Sequence, residues 1–70
     1  MLVKHIFSKE VIDDQGDKVG KVTDMDVDIK EGVINYIVIS TGFLNNRDVR
    51  LDKIKSVGDT VILNIKKNQL

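Results

Sequence analysis

The strongest pattern in the chain is alternation. Between Lys18 and Lys30, Thr23, Met25, Val27 and Ile29 fall on one parity and Asp24, Asp26 and Asp28 on the other, which predicts a strand with one wet face. Gly20 and Val22 lie on the aspartate parity. The apolar face therefore changes sides between Val22 and Met25, and a bulge or sharp bend near Thr23 is predicted. Glu31-Gly32 reads as a two-residue hairpin loop, and Val33 to Thr41 is the most strand-like run in the sequence. With that loop length Ile29 faces Ile34, Val27 faces Tyr36 and Met25 faces Val38, and these six side chains are expected to share the interior. The same register places Ile37 and Ile39 on the outer face beside Asp26 and Asp24, where two isoleucines need a cover.

The flanking segments are shorter. Leu2 to Phe7 suits a first strand or a docking N-terminal arm. Asp13-Asp14-Gln15-Gly16-Asp17 is a cluster of turn formers that predicts a hairpin, with Gly16 free to take positive φ. Gly42-Phe43-Leu44-Asn45-Asn46 reads as a loop, and its two large apolar residues suggest either a contact point or a plug folded back on the domain. A short strand from Asp48 to Leu51 follows, then one helical turn near residues 52–55 with Asp52 as its cap. Gly58-Asp59 makes the last turn, Val61, Leu63 and Ile65 mark a final strand, and Lys67 to Leu70 is expected to fray. About six short strands with turns every eight to twelve residues predict an all-β barrel or sandwich.

Composition sharpens this. Seventy residues suit a single domain covering 1–70, and a chain this short builds a marginal core. Alanine, proline, tryptophan and cysteine are absent, while nineteen positions are Ile or Val, side chains that suit a pleated surface. Without cysteine there is no thiol chemistry and no disulfide. Eleven basic and eleven acidic residues cancel, so no overall field gathers polyanions. Direct nucleic-acid binding and membrane insertion are not expected: no apolar run approaches the ~20 residues of a transmembrane helix. The opening Met1-Leu2-Val3-Lys4-His5 lacks the features of a signal peptide, which makes a cytoplasmic location the expectation.

The order of parts resembles a known family. Val11-Ile12-Asp13 precedes a turn with Gly16, Val19-Gly20-Lys21-Val22-Thr23-Asp24 follows, then the hairpin at Gly32, the strand Tyr36-Ile37-Val38-Ile39, and Val49 to Asp59. Together they resemble a PRC-barrel domain over about Phe7 to Ile65. Leu51 stands where family members often carry a proline or an aromatic residue nearby. The family includes the cytoplasmic domain of the photosynthetic reaction-centre H subunit, the C-terminal domain of a ribosome maturation factor, and stand-alone archaeal members, some tied to cell division. The resemblance implies a compact, mostly antiparallel β-barrel used as a platform for protein contacts, without shared catalytic residues.

Candidate chemistry is sparse. Asp24, Asp26 and Asp28 match the start of a calcium loop, but the sixth and twelfth positions are Ile29 and Asn35 rather than glycine and glutamate. His5 is the only histidine, so a zinc site would have to be gathered from distant carboxylates, and no motif presents a serine or threonine to it. Gly16 and Gly20 precede no helix that would hold a phosphate. The reading is a non-catalytic adaptor with no metal and no cofactor. It is expected to bind protein partners through Ile37, Ile39, Phe43 and Leu44, and to form a homodimer in which a second copy covers Ile37 and Ile39. The alternative implied by the resemblance is an RNA-processing or ribosome-maturation factor.

Overall fold

The computed structural model describes residues 1–42 and 45–70. Among them six strands form one sheet in the order β4-β3-β2-β1-β6-β5. They are β1 Glu10–Ile12, β2 Lys18–Asp28, β3 Val33–Gly42, β4 Asn45–Arg50, β5 Ile54–Val57 and β6 Val61–Leu63. Neighbours run antiparallel except β1 and β6, which are parallel. The all-β class and the strand number agree with the sequence reading. Closure does not: among the described residues no ladder joins β4 to β5. Val49 of β4 and Leu63 of β6 nonetheless lie in one core cluster with Val11, Val19, Val22, Ile37, Ile39 and Val61, so the open sheet wraps around its apolar face.

The wrap depends on Gly20. A Cβ at this position would lie 1.9 Å from the carbonyl oxygen of Ser40 and 2.8 Å from its carbon. Only glycine allows β2 to pass β3 this closely, as a tight bend requires. Immediately beyond, the ladder shifts between Val22 and Asp24, so Thr23 is the extra residue of a bulge where the change of parity predicted one.

The β2–β3 register corrects the expected interior. Asp28 pairs with Val33, leaving the four residues 29–32 as the loop rather than two. Gly32 at φ 69° donates its N–H to the Asp28 carbonyl at 2.8 Å, and Asp28 Oδ1 accepts the Glu31 N–H at 3.0 Å. A second shift leaves Asn35 unpaired between Asp26↔Tyr36 and Val27↔Ile34. The combined offset is one residue at Ile37, which turns every side chain there to the other face. Ile37 and Ile39 are therefore 0% exposed, opposite Met25 and Val22. The surface role expected for this pair is overturned: they are core. Tyr36 and Val38, expected inside, are half-buried on the opposite face.

The chain ends are also more ordered than expected. Val3–His5 is a single 3-10 turn rather than a strand, and it leads to the buried Ile6. Ser8, at φ 69°, then turns the chain toward β1. This arm is tied to β2 by Ser8 N–H to Val22 O at 2.7 Å and Val22 N–H to Lys9 O at 3.0 Å. The predicted helical turn is a 3-10 turn at Leu51–Lys53, held where the Asn64 side chain donates to the Asp52 carbonyl at 2.8 Å. Lys67–Gln69 is not frayed but forms another 3-10 turn, and Leu70 packs against the core.

Candidate functional site

The far end of the β2–β3 hairpin stands clear of the rest of the sheet. β4 pairs with β3 only as far as Tyr36↔Arg50. Among the described residues, neither β1 nor the arm bonds to the backbone of β2 past Val22. Residues 27–28 and 33–34 are thus a two-stranded ribbon, a form that is marginal in water by itself. Val27 and Ile34 face each other on the side that carries Met25 and Ile37 in the body. The core face of the sheet continues along them into solvent, and both are exposed, as are Val33 and the loop residue Ile29, which is 85% exposed. Turn and ribbon geometry hold this group in place through Asp28, Gly32 and the hydrogen bond from Asn35 Nδ2 to Asp26 Oδ2 at 2.8 Å.

The other face of the hairpin is acidic. Asp24, Asp26 and Asp48 flank Val38 and Tyr36. Asp26, then Asp48, then partial burial and Asp24 raise the Tyr36 phenol above its ordinary pKa. Asp24 Oδ1 accepts the Met25 N–H at 2.8 Å. With Asp26 and Asp28 also engaged inside the hairpin, the three aspartates stabilise strand and loop. No group of three or more metal-ligating side chains occurs among the described residues.

At the opposite end, two adjoining depressions share Val19, Thr41 and Lys67 and are rimmed by Glu10, Lys18, Lys21 and Arg47. No aromatic ring lines them among the described residues, so they lack the stacking platform of single-strand nucleic-acid binders. A third depression lies over Asp13, whose two carboxylate oxygens are both engaged by backbone N–H groups.

Of the expected contact residues, Ile37 and Ile39 lie in the core, and Phe43 and Leu44 lie outside the described residues. The exposed group at Val27, Ile29, Val33 and Ile34 was missed because a two-residue loop draws Val27, Ile29 and Ile34 into the interior. The signal that would have found it is Asp28 four residues before Gly32, a spacing that suits a longer capped loop. No helix among the described residues is long and apolar enough to cross a membrane. A sequence model of the PRC-barrel domain matches residues 1–70. Comparison with curated protein sequences gives no match.

Proposed function

The chain belongs to the PRC-barrel domain family, and from that premise we propose that it is a non-catalytic adaptor whose contact surface is the far end of the β2–β3 hairpin. The observation that carries this reading is the continuation of the core face into solvent at Val27 and Ile34, with Ile29 and Val33 exposed beside them. Burying four such side chains against a partner is favourable by ~1.5–3 kcal/mol for each one fully covered. A contiguous exposed apolar group held in place by turn geometry is the form a contact surface takes. No motif in the sequence presents a serine or threonine to His5, in keeping with the non-catalytic reading, and the balanced charge favours a protein partner over RNA.

Affinity capture from native lysate tests it, using the intact protein beside a Val27→Asp/Ile34→Asp variant. Partners retained by the first and lost by the second, with equal strand content by circular dichroism, are expected. Identical partner sets from both proteins would contradict the reading. Division proteins in the captured set would place the adaptor in cell division, and ribosomal proteins would favour the maturation-factor role.

A further inference from the structure

Among the described residues the sheet leaves several free edges, β4, β5 and the outer part of β2 among them, and they are not equivalent. An unpaired strand edge is a template for another strand unless charges, bulges or short length blunt it. The outer part of β2 presents Asp24, Asp26 and Asp28 and occupies the Met25 N–H with an aspartate oxygen. β5 has four residues, and Lys55 is bulged out of its ladder between Ile54 and Ser56. β4 has neither the single-sign charge of β2 nor the bulge and short length of β5: its charges, Arg47, Asp48 and Arg50, are of both signs. From Asn46 to Arg50 its register against β3 is unbroken, and this stretch holds no lysine, glycine or proline.

Its charge pattern selects one occupant. Asp48 and Arg50 share the outer face, opposite Val38 and Tyr36, while Val49 is buried on the inner face opposite Ile37. Both charged residues are exposed, and among the described residues neither carries an ion pair. A two-fold axis normal to the sheet pairs residues of equal parity, so in an antiparallel pair of β4 strands it passes at a residue position. At Arg47 or Arg50 it would oppose two arginines, and at Asp48 two aspartates, and like charges directly opposite are destabilising. At Asn46 it would pair Asn46 with itself and Asn45 with Arg47 and leave Asp48 and Arg50 without partners in the strand, whereas at Val49 it opposes valine to valine and sets Asp48 against Arg50 twice.

We propose that a second copy of this chain docks on the free edge of β4, antiparallel about a two-fold axis at Val49, so that Asp48 of each copy faces Arg50 of the other. Within β4 this axis overlaps Asp48, Val49 and Arg50 of the two copies, and the two sheets meet along that stretch. This surface is separate from the hairpin end, so it stands or falls independently of the adaptor reading.

Sedimentation equilibrium over a range of protein concentrations, with circular dichroism as the folding control, tests it. The intact chain is expected to dimerise reversibly. Asp48→Arg and Arg50→Asp each weaken the dimer by about tenfold or more, since each replaces two attractive cross-strand pairs with two repulsive ones. The double variant Asp48→Arg/Arg50→Asp re-creates the pairs in reverse and restores the affinity. Should either reversal unfold the chain, Asp48→Asn and Arg50→Gln replace it and are expected to weaken the dimer to a smaller extent. The Val27→Asp/Ile34→Asp variant dimerises as the intact protein does. A chain that stays monomeric at hundreds of micromolar overturns the proposal. So does a double variant as weak as the single ones, or a dimer lost when only the hairpin is altered.

Discussion

The carboxylate of Asp13 accepts the backbone N–H of Lys67 at 2.9 Å, across 54 positions of sequence. Its other oxygen takes the N–H groups of Gln15 at 2.9 Å and Asp17 at 2.8 Å. One buried side chain thus shapes the β1–β2 turn and fastens the C-terminal turn to it. Asp13→Ala leaves three N–H groups without their acceptor, and such losses are costlier than the bonds themselves are worth. The thermal midpoint is expected to fall by several degrees, with amide exchange at Lys67 rising to that of an open end. Unchanged protection at Lys67 would show that the turn docks by Leu70 alone.

The same carboxylate sets an acid limit on stability. Burial, the largest single influence, pushes its pKa up, but the N–H groups of Lys67, Asp17 and Gln15 and the Lys67 charge together hold it below the ordinary 3.8. A group with a depressed folded pKa lends stability that is complete above its unfolded value and is lost as pH falls through the folded one. Stability should therefore decline with acidification from about pH 4 downward. Asp13→Asn, which stays neutral, should flatten that part of a urea-midpoint series against pH.

Tyr36 titrates in the opposite sense. It is the only tyrosine and no tryptophan is present, so phenolate absorbance reports it directly. Asp26 first, then Asp48, partial burial and Asp24 raise its pKa above 10.0. The folded state keeps this proton where the unfolded chain has begun to release it, so stability falls as pH rises past 10 toward the folded value. The absorbance midpoint is expected above 10, and Asp26→Asn should move it back down. A midpoint indifferent to Asp26 would remove the acidic face from the account.

At Gly20 the expectation is steric. With the Ser40 carbonyl oxygen 1.9 Å from the Cβ position, Gly20→Ala must push β2 and β3 apart, a change that costs ~3 kcal/mol. Gly58, with open space around it, is the control, and Gly58→Ala should stay within ~0.5 kcal/mol of the parent in urea unfolding.

The corrected register makes its own forecast. Ile37→Ala and Ile39→Ala remove fully buried side chains and should each cost ~2–5 kcal/mol. Ile29→Ala, at a position 85% exposed, should change stability by less than ~0.5 kcal/mol. If Ile37→Lys left a stable, fully folded monomer, the expected outward face would be restored and the core assignment refuted.

These contrasts show which parts of the fold could be read from residues alone. The strands were legible because Ile and Val alternate with charge, and the Thr23 bulge because Val22 and Met25 cannot otherwise share a face. The Asn35 bulge left no such trace: Ile34, Tyr36, Val38 and Ile37, Ile39 are apolar on both parities, so either face reads as core. The loop was misjudged because Glu31-Gly32 satisfies a two-residue turn locally, while the bonds that lengthen it come from Asp28. The Asp13 anchor depends on a partner 54 residues away, a pairing that no local pattern encodes. The exposed hairpin end was hidden for the same reason as the core: one residue of register decides both.

The adaptor reading is tested most directly by hydrogen–deuterium exchange on the protein alone and in the complex isolated with its captured partner. Protection is expected to concentrate at residues 27–34, with the body of the sheet unchanged. Protection confined to the depressions near Thr41 and Lys67, with residues 27–34 exchanging as freely as in the isolated protein, would contradict it.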